Sequence, residues 1–110
     1  MVDKNTKLKP ILSEEKLRLL LISNDVVINY NKNEIITYLR DKVDEAAVAG
    51  RALDFITKER IPSEWLIYSD GIYWWDTVLI HHIEKYEVSL PDEFIIHVQK
   101  NKEKIKNEDS

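Results

Sequence analysis

Trp65-Leu-Ile-Tyr-Ser-Asp-Gly-Ile-Tyr-Trp-Trp-Asp76 holds all three tryptophans and two of the five tyrosines around one Asp-Gly step. Two short aromatic runs, Trp65–Tyr68 and Ile72–Trp75, flank Ser69-Asp70-Gly71. Gly71 supplies the positive φ that tight hairpin turns require, so the stretch predicts a β-hairpin. Alternation along a strand then sets Trp65 and Ile67 against Leu66 and Tyr68, and Tyr73 and Trp75 against Ile72 and Trp74. One set faces a core. The other leaves at least one large aromatic near the surface, unless flanking helices cover both faces. Asp76 is a natural N-cap for a helix over Thr77–Tyr86.

Outward from the hairpin the pattern is helical. On Thr77–Tyr86, Leu79, His82, Ile83 and Tyr86 share one face, and Ile80, Glu84 and Glu87 another. Ser89, with Pro91 in the first turn and Asp92 three residues on, opens a last helix whose apolar face is Phe94, Ile95 and Val98. Upstream, Ser13 caps a first helix that carries Glu14 and Glu15 in its first turn, with Leu12 and Leu17 spaced as a hydrophobic staple. Asn31 caps a second, with Glu34 at the reciprocal position of a capping box. From there Ile36, Leu39, Val43, Ala46, Gly50 and Leu53 recur at steps of three and four, which predicts helix over 33–59. That helix would be about 40 Å long at 1.5 Å per residue, so a break near Asp44 or Gly50 is expected. Within it, Ala46–Gly50 has the small side chains of a close helix crossing. Val26-Val27-Ile28 reads either as a short strand or as an apolar connector. Ile61-Pro62 ends the helical region. Residues 1–10 read as a polar arm and 101–110 as a mobile tail. The expectation is a single domain, mainly α, of four to five helices with one small β-hairpin near residues 65–75.

At 110 residues and 44% hydrophobic, the chain can bury a core without metal or disulfide. It has no cysteine, which excludes thiolate zinc sites and cysteine nucleophiles and fits a reducing compartment. No apolar run approaches the roughly 20 residues a membrane span needs, and the N-terminus lacks a secretory pattern, so a cytoplasmic location is expected. The net charge of −4 is unevenly placed. Residues 61–98 carry only Lys85 against Glu64, Asp70, Asp76, Glu84, Glu87, Asp92 and Glu93, a local balance of −6. Such a segment repels phosphate backbones and attracts basic surfaces, which argues against nucleic-acid binding. It is either a solvated acidic face or a partner-binding one.

The histidines invite a metal reading, with His81 and Glu84 at i and i+3 and Asp76 or His97 completing a set. His81 and His82 are adjacent, however, and point about 100° apart on a helix. The expectation is no metal: His82 half-buried on the core face and hydrogen-bonded through one nitrogen, His81 exposed. The carboxylate pairs Glu84/Glu87 and Asp92/Glu93 fit acid–base work only in a pocket that shifts one pKa. The chain lacks a Gly-x-Ser-x-Gly elbow, and its two glycines are too few for a phosphate-cradling loop. A non-enzyme without cofactor is expected.

The run Tyr68-Ser-Asp-Gly-Ile-Tyr-Trp-Trp-Asp76, with Ile83-Glu-Lys-Tyr86 and Leu90-Pro-Asp-Glu-Phe94, resembles a pattern in small bacterial immunity proteins of polymorphic-toxin and contact-dependent growth inhibition systems. The resemblance covers residues 62–98. It implies a protein that occludes a cognate toxin domain, often a nuclease with a basic active site. The expected contact surface comprises Asp70, Tyr73, Trp74, Asp76, Glu84, Glu87, Asp92 and Glu93, with aromatics as anchors and carboxylates steering basic side chains. The alternatives are a small metal-dependent hydrolase using His81, Glu84 and Asp76, or a regulatory protein that dimerises through the Ala46–Gly50 helix.

Overall fold

Ser13 and Asn31 start the first two helices. In the computed structural model, which describes residues 8–23, 28–41 and 43–108, Ser13 Oγ accepts from Lys16 N at the head of α1 (Glu14–Ile22) and Asn31 Oδ1 accepts from Glu34 N at the head of α2 (Lys32–Arg40). Each cap satisfies a backbone N–H that the helix itself leaves open. Of the Val26–Ile28 segment, Val26 and Val27 lie outside the described residues; Ile28 has no regular structure.

After Arg40 the chain departs from the sequence expectation. The helix over 33–59 does not form: α2 ends at Arg40, and Val43–Ala47 is a strand, β2. It pairs antiparallel with β3 (Leu66–Ser69), which pairs antiparallel with β4 (Tyr73–Asp76). A two-residue strand, β1 (Lys9–Pro10), lies parallel to β4 within the segment read as a polar arm. The result is a four-stranded mixed sheet in the order β1-β4-β3-β2, together with four helices among the described residues. The chain is therefore a small α/β domain, not a mainly helical one carrying a lone hairpin. Two physical reasons hid the sheet. The register shifts between Val43 and Ala46, and such a bulge erases the alternation by which a strand is read. Pairing to β3 then outweighs the weak helix preference of Glu45, Ala46 and Ala47. At the other edge, Lys9 N and Ile11 N donate to Ile72 O and Trp74 O, so Pro10 sits where its missing N–H costs no ladder bond.

Gly50 is not a helix-crossing residue. Its φ is +114°, and a Cβ there would meet only Trp65 Cζ3, at 3.8 Å. The backbone conformation, not tight packing, asks for glycine. Beyond it, residues 52–61 fold back on themselves: Asp54 N donates to Glu59 O and Ile61 N to Ala52 O, with Leu53 opposite Arg60.

The hairpin register places Tyr68 opposite Trp75 and Ser69 opposite Trp74, so Tyr68, Tyr73 and Trp75 share one sheet face. That face is the core. Trp75 stacks on Tyr68, its indole N–H donates to Leu39 O, and Phe94 meets Tyr73 edge-on at 5.0 Å. Phe94, Ile95 and Val98 are buried, seating the long C-terminal helix α4 (Asp92–Glu108) on the aromatic layer. Following β4 in the chain and packed against α2, α3 (Thr77–Lys85) is started by Asp76 Oδ1 accepting from Leu79 N and is buried on nearly every side.

Candidate functional site

The opposite sheet face carries Trp65, Ile67, Trp74 and Asp76. These side chains, with Leu17 and Arg18 of α1 and the 48–58 segment, line a cavity of about 560 Å³. Trp65 and Trp74 are half-buried, and the Trp65 indole N–H donates to Asp76 Oδ2 at 3.0 Å. Asp76 thus caps α3 with one oxygen and fixes a cavity wall with the other. Arg18 lies over the Phe55 ring at 4.0 Å and pairs with Glu14 at 3.0 Å.

Two buried carboxylates organise the rest. Asp54, 2% exposed, accepts from Ile56 N, Thr57 N, His81 Nε2 and both-oxygen contacts with Tyr86 OH, and Lys85 Nζ stands 3.5 Å away. Burial alone would raise its pKa, but the bonds from His81, Thr57, Tyr86 and Ile56 outweigh it and hold the carboxyl below the usual carboxylate range. Asp70 repeats the arrangement with Ile72 N, Tyr73 N, His97 Nε2 and Tyr38 OH. It too is lowered, hydrogen bonds prevailing over burial.

His81 is not exposed as expected. Its Nε2–H is committed to Asp54 at 2.8 Å, and the ring stands beside a cleft of about 490 Å³ that Ser63, Thr77 and Glu84 help to line. Thr77 is no nucleophile there, since its hydroxyl donates to Glu64 O and accepts from Leu66 N. His82 is fully buried rather than half-buried, and both its nitrogens are engaged. Phe55 N–H donates to Nε2 at 2.9 Å, so Nδ1 carries the proton and donates to Val78 O at 2.7 Å. Burial pushes its pKa down, the His81 charge adding and the Val78, Asp54 and Asp76 interactions opposing.

The eight residues expected at a contact surface separate into three places. Asp70 and Tyr73 are interior: the Asp70 side chain is 2% exposed and Tyr73 is 7% exposed, against Phe94 and His97. Trp74 and Asp76 line the large cavity. Glu84, Glu87, Asp92 and Glu93 are exposed at the α3–α4 corner. There Glu84 pairs with Arg40 at 2.7 Å, and Asn29 donates to Asp92 at 2.6 Å. Tyr30 donates to Val88 O, and its hydroxyl is pushed up to about 12 by burial and by the Glu87 charge. Glu87 and Asp92 thus bracket one short segment, Asn29–Tyr30. His81, Glu84 and Asp76 turn to three different partners, Asp54, Arg40 and Trp65, and among the described residues no group of three or more His, Asp or Glu is placed to hold a metal ion. Among the described residues, too, no helix is long and apolar enough to cross a membrane.

Sequence reading missed Asp54, Phe55 and Arg51, which all line the large cavity. An aspartate followed by two backbone donors is a local signal for an Asx turn, but its histidine and tyrosine partners stand 27 and 32 residues away. Comparison with protein-family models, curated proteins and solved structures returned no match.

Proposed function

We propose that this chain is a cytoplasmic, non-catalytic binding protein that holds a basic protein partner against the α3–α4 corner, as an immunity protein does toward its toxin. The observation that carries this reading is the exposed acidic corner formed by Glu84, Glu87, Asp92 and Glu93, within a segment whose local charge is −6. Carboxylates held on helix ends around Asn29–Tyr30 keep their spacing, and a fixed negative patch steers and orients a positive one. Occlusion needs no chemistry in the binder. The residual aromatic contribution falls to Trp74, since Asp70 and Tyr73 are committed to the interior. The alternatives draw less support: His81, Glu84 and Asp76 bond to three different partners, and Val43–Ala47 is a strand.

The test is co-expression with any candidate toxin domain found encoded beside this gene. The chain is expected to restore growth and to co-purify with that domain in a one-to-one complex, and Glu84→Lys with Glu87→Lys is expected to slow formation of that complex and weaken the rescue. Growth arrest undiminished by the wild-type chain, with no complex recovered, overturns the reading.

A further inference from the structure

A second site lies away from the acidic corner and rests on different observations. We propose that the cavity between α1, the 48–58 segment and the outer face of β3–β4 binds a small planar aromatic carboxylate, with Arg51 taking its anionic group. The volume, about 560 Å³, falls within the roughly 300–1,000 Å³ of small-molecule sites. Trp65 and Trp74 give it flat aromatic walls, and Ile67 adds apolar surface beside them. The Trp65 ring is anchored by its bond to Asp76, so part of the stacking surface is set before any ligand arrives, which lowers the ordering cost of binding.

Charge decides the ligand's polarity. Three carboxylates and three cations line the cavity, but they are unequally free. Glu14 holds Arg18, Asp76 caps Leu79 and takes the Trp65 indole, and Asp54 is saturated by its own donors. Arg18 is spent on Glu14 and on the Phe55 face. Lys58 Nζ reaches a neutral acceptor, Phe55 O, at 3.0 Å. Arg51, among the described residues, has no hydrogen-bond or ion-pair partner. The unmet capacity of the cavity is therefore one guanidinium with an ammonium nearby. A guanidinium presents parallel N–H groups that match a carboxylate in a fork, and flat aromatic walls favour a ring attached to it.

Calorimetric titration of the full chain with 2-naphthoate tests this. Binding with a Kd below about 1 mM is expected for a ligand of that size. Arg51→Gln is expected to weaken it at least about tenfold, the worth of a charge-assisted bond, as is replacing the acid by neutral 2-naphthamide. Arg60→Gln, which removes an exposed cation outside the cavity, is expected to leave Kd unchanged. Because Arg51 is exposed, its variant should keep the wild-type circular dichroism and melting transition, so lost binding cannot be lost folding. No heat at 5 mM 2-naphthoate (a concentration set well above the roughly 1 mM expected), equal affinity for the amide, or an indifferent Arg51→Gln variant each overturns the proposal. Tighter binding of 2-naphthyl phosphate than of the carboxylate overturns the choice of anion. None of these outcomes bears on the acidic corner.

Discussion

At Asp54 a single buried carboxylate holds a turn, a helix and the chain beyond it: Ile56 N and Thr57 N from the turn, His81 from α3, and Tyr86 just after α3. Asp54→Asn keeps one oxygen but turns an NH₂ toward groups that are themselves donors. It should cost about 2–4 kcal/mol, because donors left unmatched in a buried site lose their solvation without compensation. Asp92→Asn, at an exposed carboxylate, should stay within about 0.5 kcal/mol. Urea denaturation of both variants checks the contrast, and equal midpoints would refute it. His82 adds a pH dependence. Its folded pKa lies below the ordinary value, so the unfolded chain takes up a proton that the folded chain refuses. Its stabilising contribution is complete above about pH 6.5 and declines as pH falls below it. Asp54 and Asp70, also lowered, lose theirs only below about pH 4. The wild-type urea midpoint should therefore fall between pH 7.5 and pH 5, and His82→Gln should flatten that interval; a slope identical in the variant would assign it to other groups.

Among the elements, those set by neighbouring residues were legible and those set by distant pairing were not. Ser13, Asn31 and Asp76 each cap the helix their sequence context announces, and Asp70-Gly71 turns the hairpin. By contrast β2 is defined by its partner, and its bulge scrambles the period that would reveal it; β1 is two residues long and has no period at all. The site divides the same way. The corner carboxylates follow from charge and helix position, whereas Asp70 and Tyr73 looked like turn and surface residues because His97 and Tyr38, which enclose them, are far along the chain. Gly50 separates the helical and β readings by the sign of one measurement. Were it inside a helix, Gly50→Ala would stabilise by about 1 kcal/mol. At φ +114° with room for a Cβ, alanine instead strains the backbone, and a loss of about 1–2 kcal/mol is expected. A raised melting temperature for Gly50→Ala would contradict the turn that separates β2 from the 52–61 loop.

At the scale of the whole molecule the two faces of the sheet do different work: one is filled by α2, α3 and α4, and the other keeps a cavity lined by aromatic rings. The acidic corner belongs to the filled side, on helices whose packing is independent of the exposed carboxylates. Charge there can be altered without dismantling the fold, and this allows the steering hypothesis a clean test. Glu84 and Asp92 have internal partners in Arg40 and Asn29, so their reversal mixes lost contacts with lost field. Among the described residues the side chains of Glu87 and Glu93 make no ion pair or hydrogen bond, which makes them the better probes. Glu87→Lys with Glu93→Gln removes three units of negative charge from the corner. Its stability cost should be no more than about 1 kcal/mol, the helix-terminal share of Glu93 in the first turn of α4. If the corner steers a basic partner, this variant should lower the association rate about tenfold at 20 mM salt and by much less at 500 mM, where the Debye length is only about 4 Å. The dissociation rate should change little, because exposed charges act mainly on the encounter. Stopped-flow association with the cognate domain at both salt concentrations reads all three quantities. An association rate insensitive to salt and to the substitutions would leave the corner as a solvated surface and overturn its steering role.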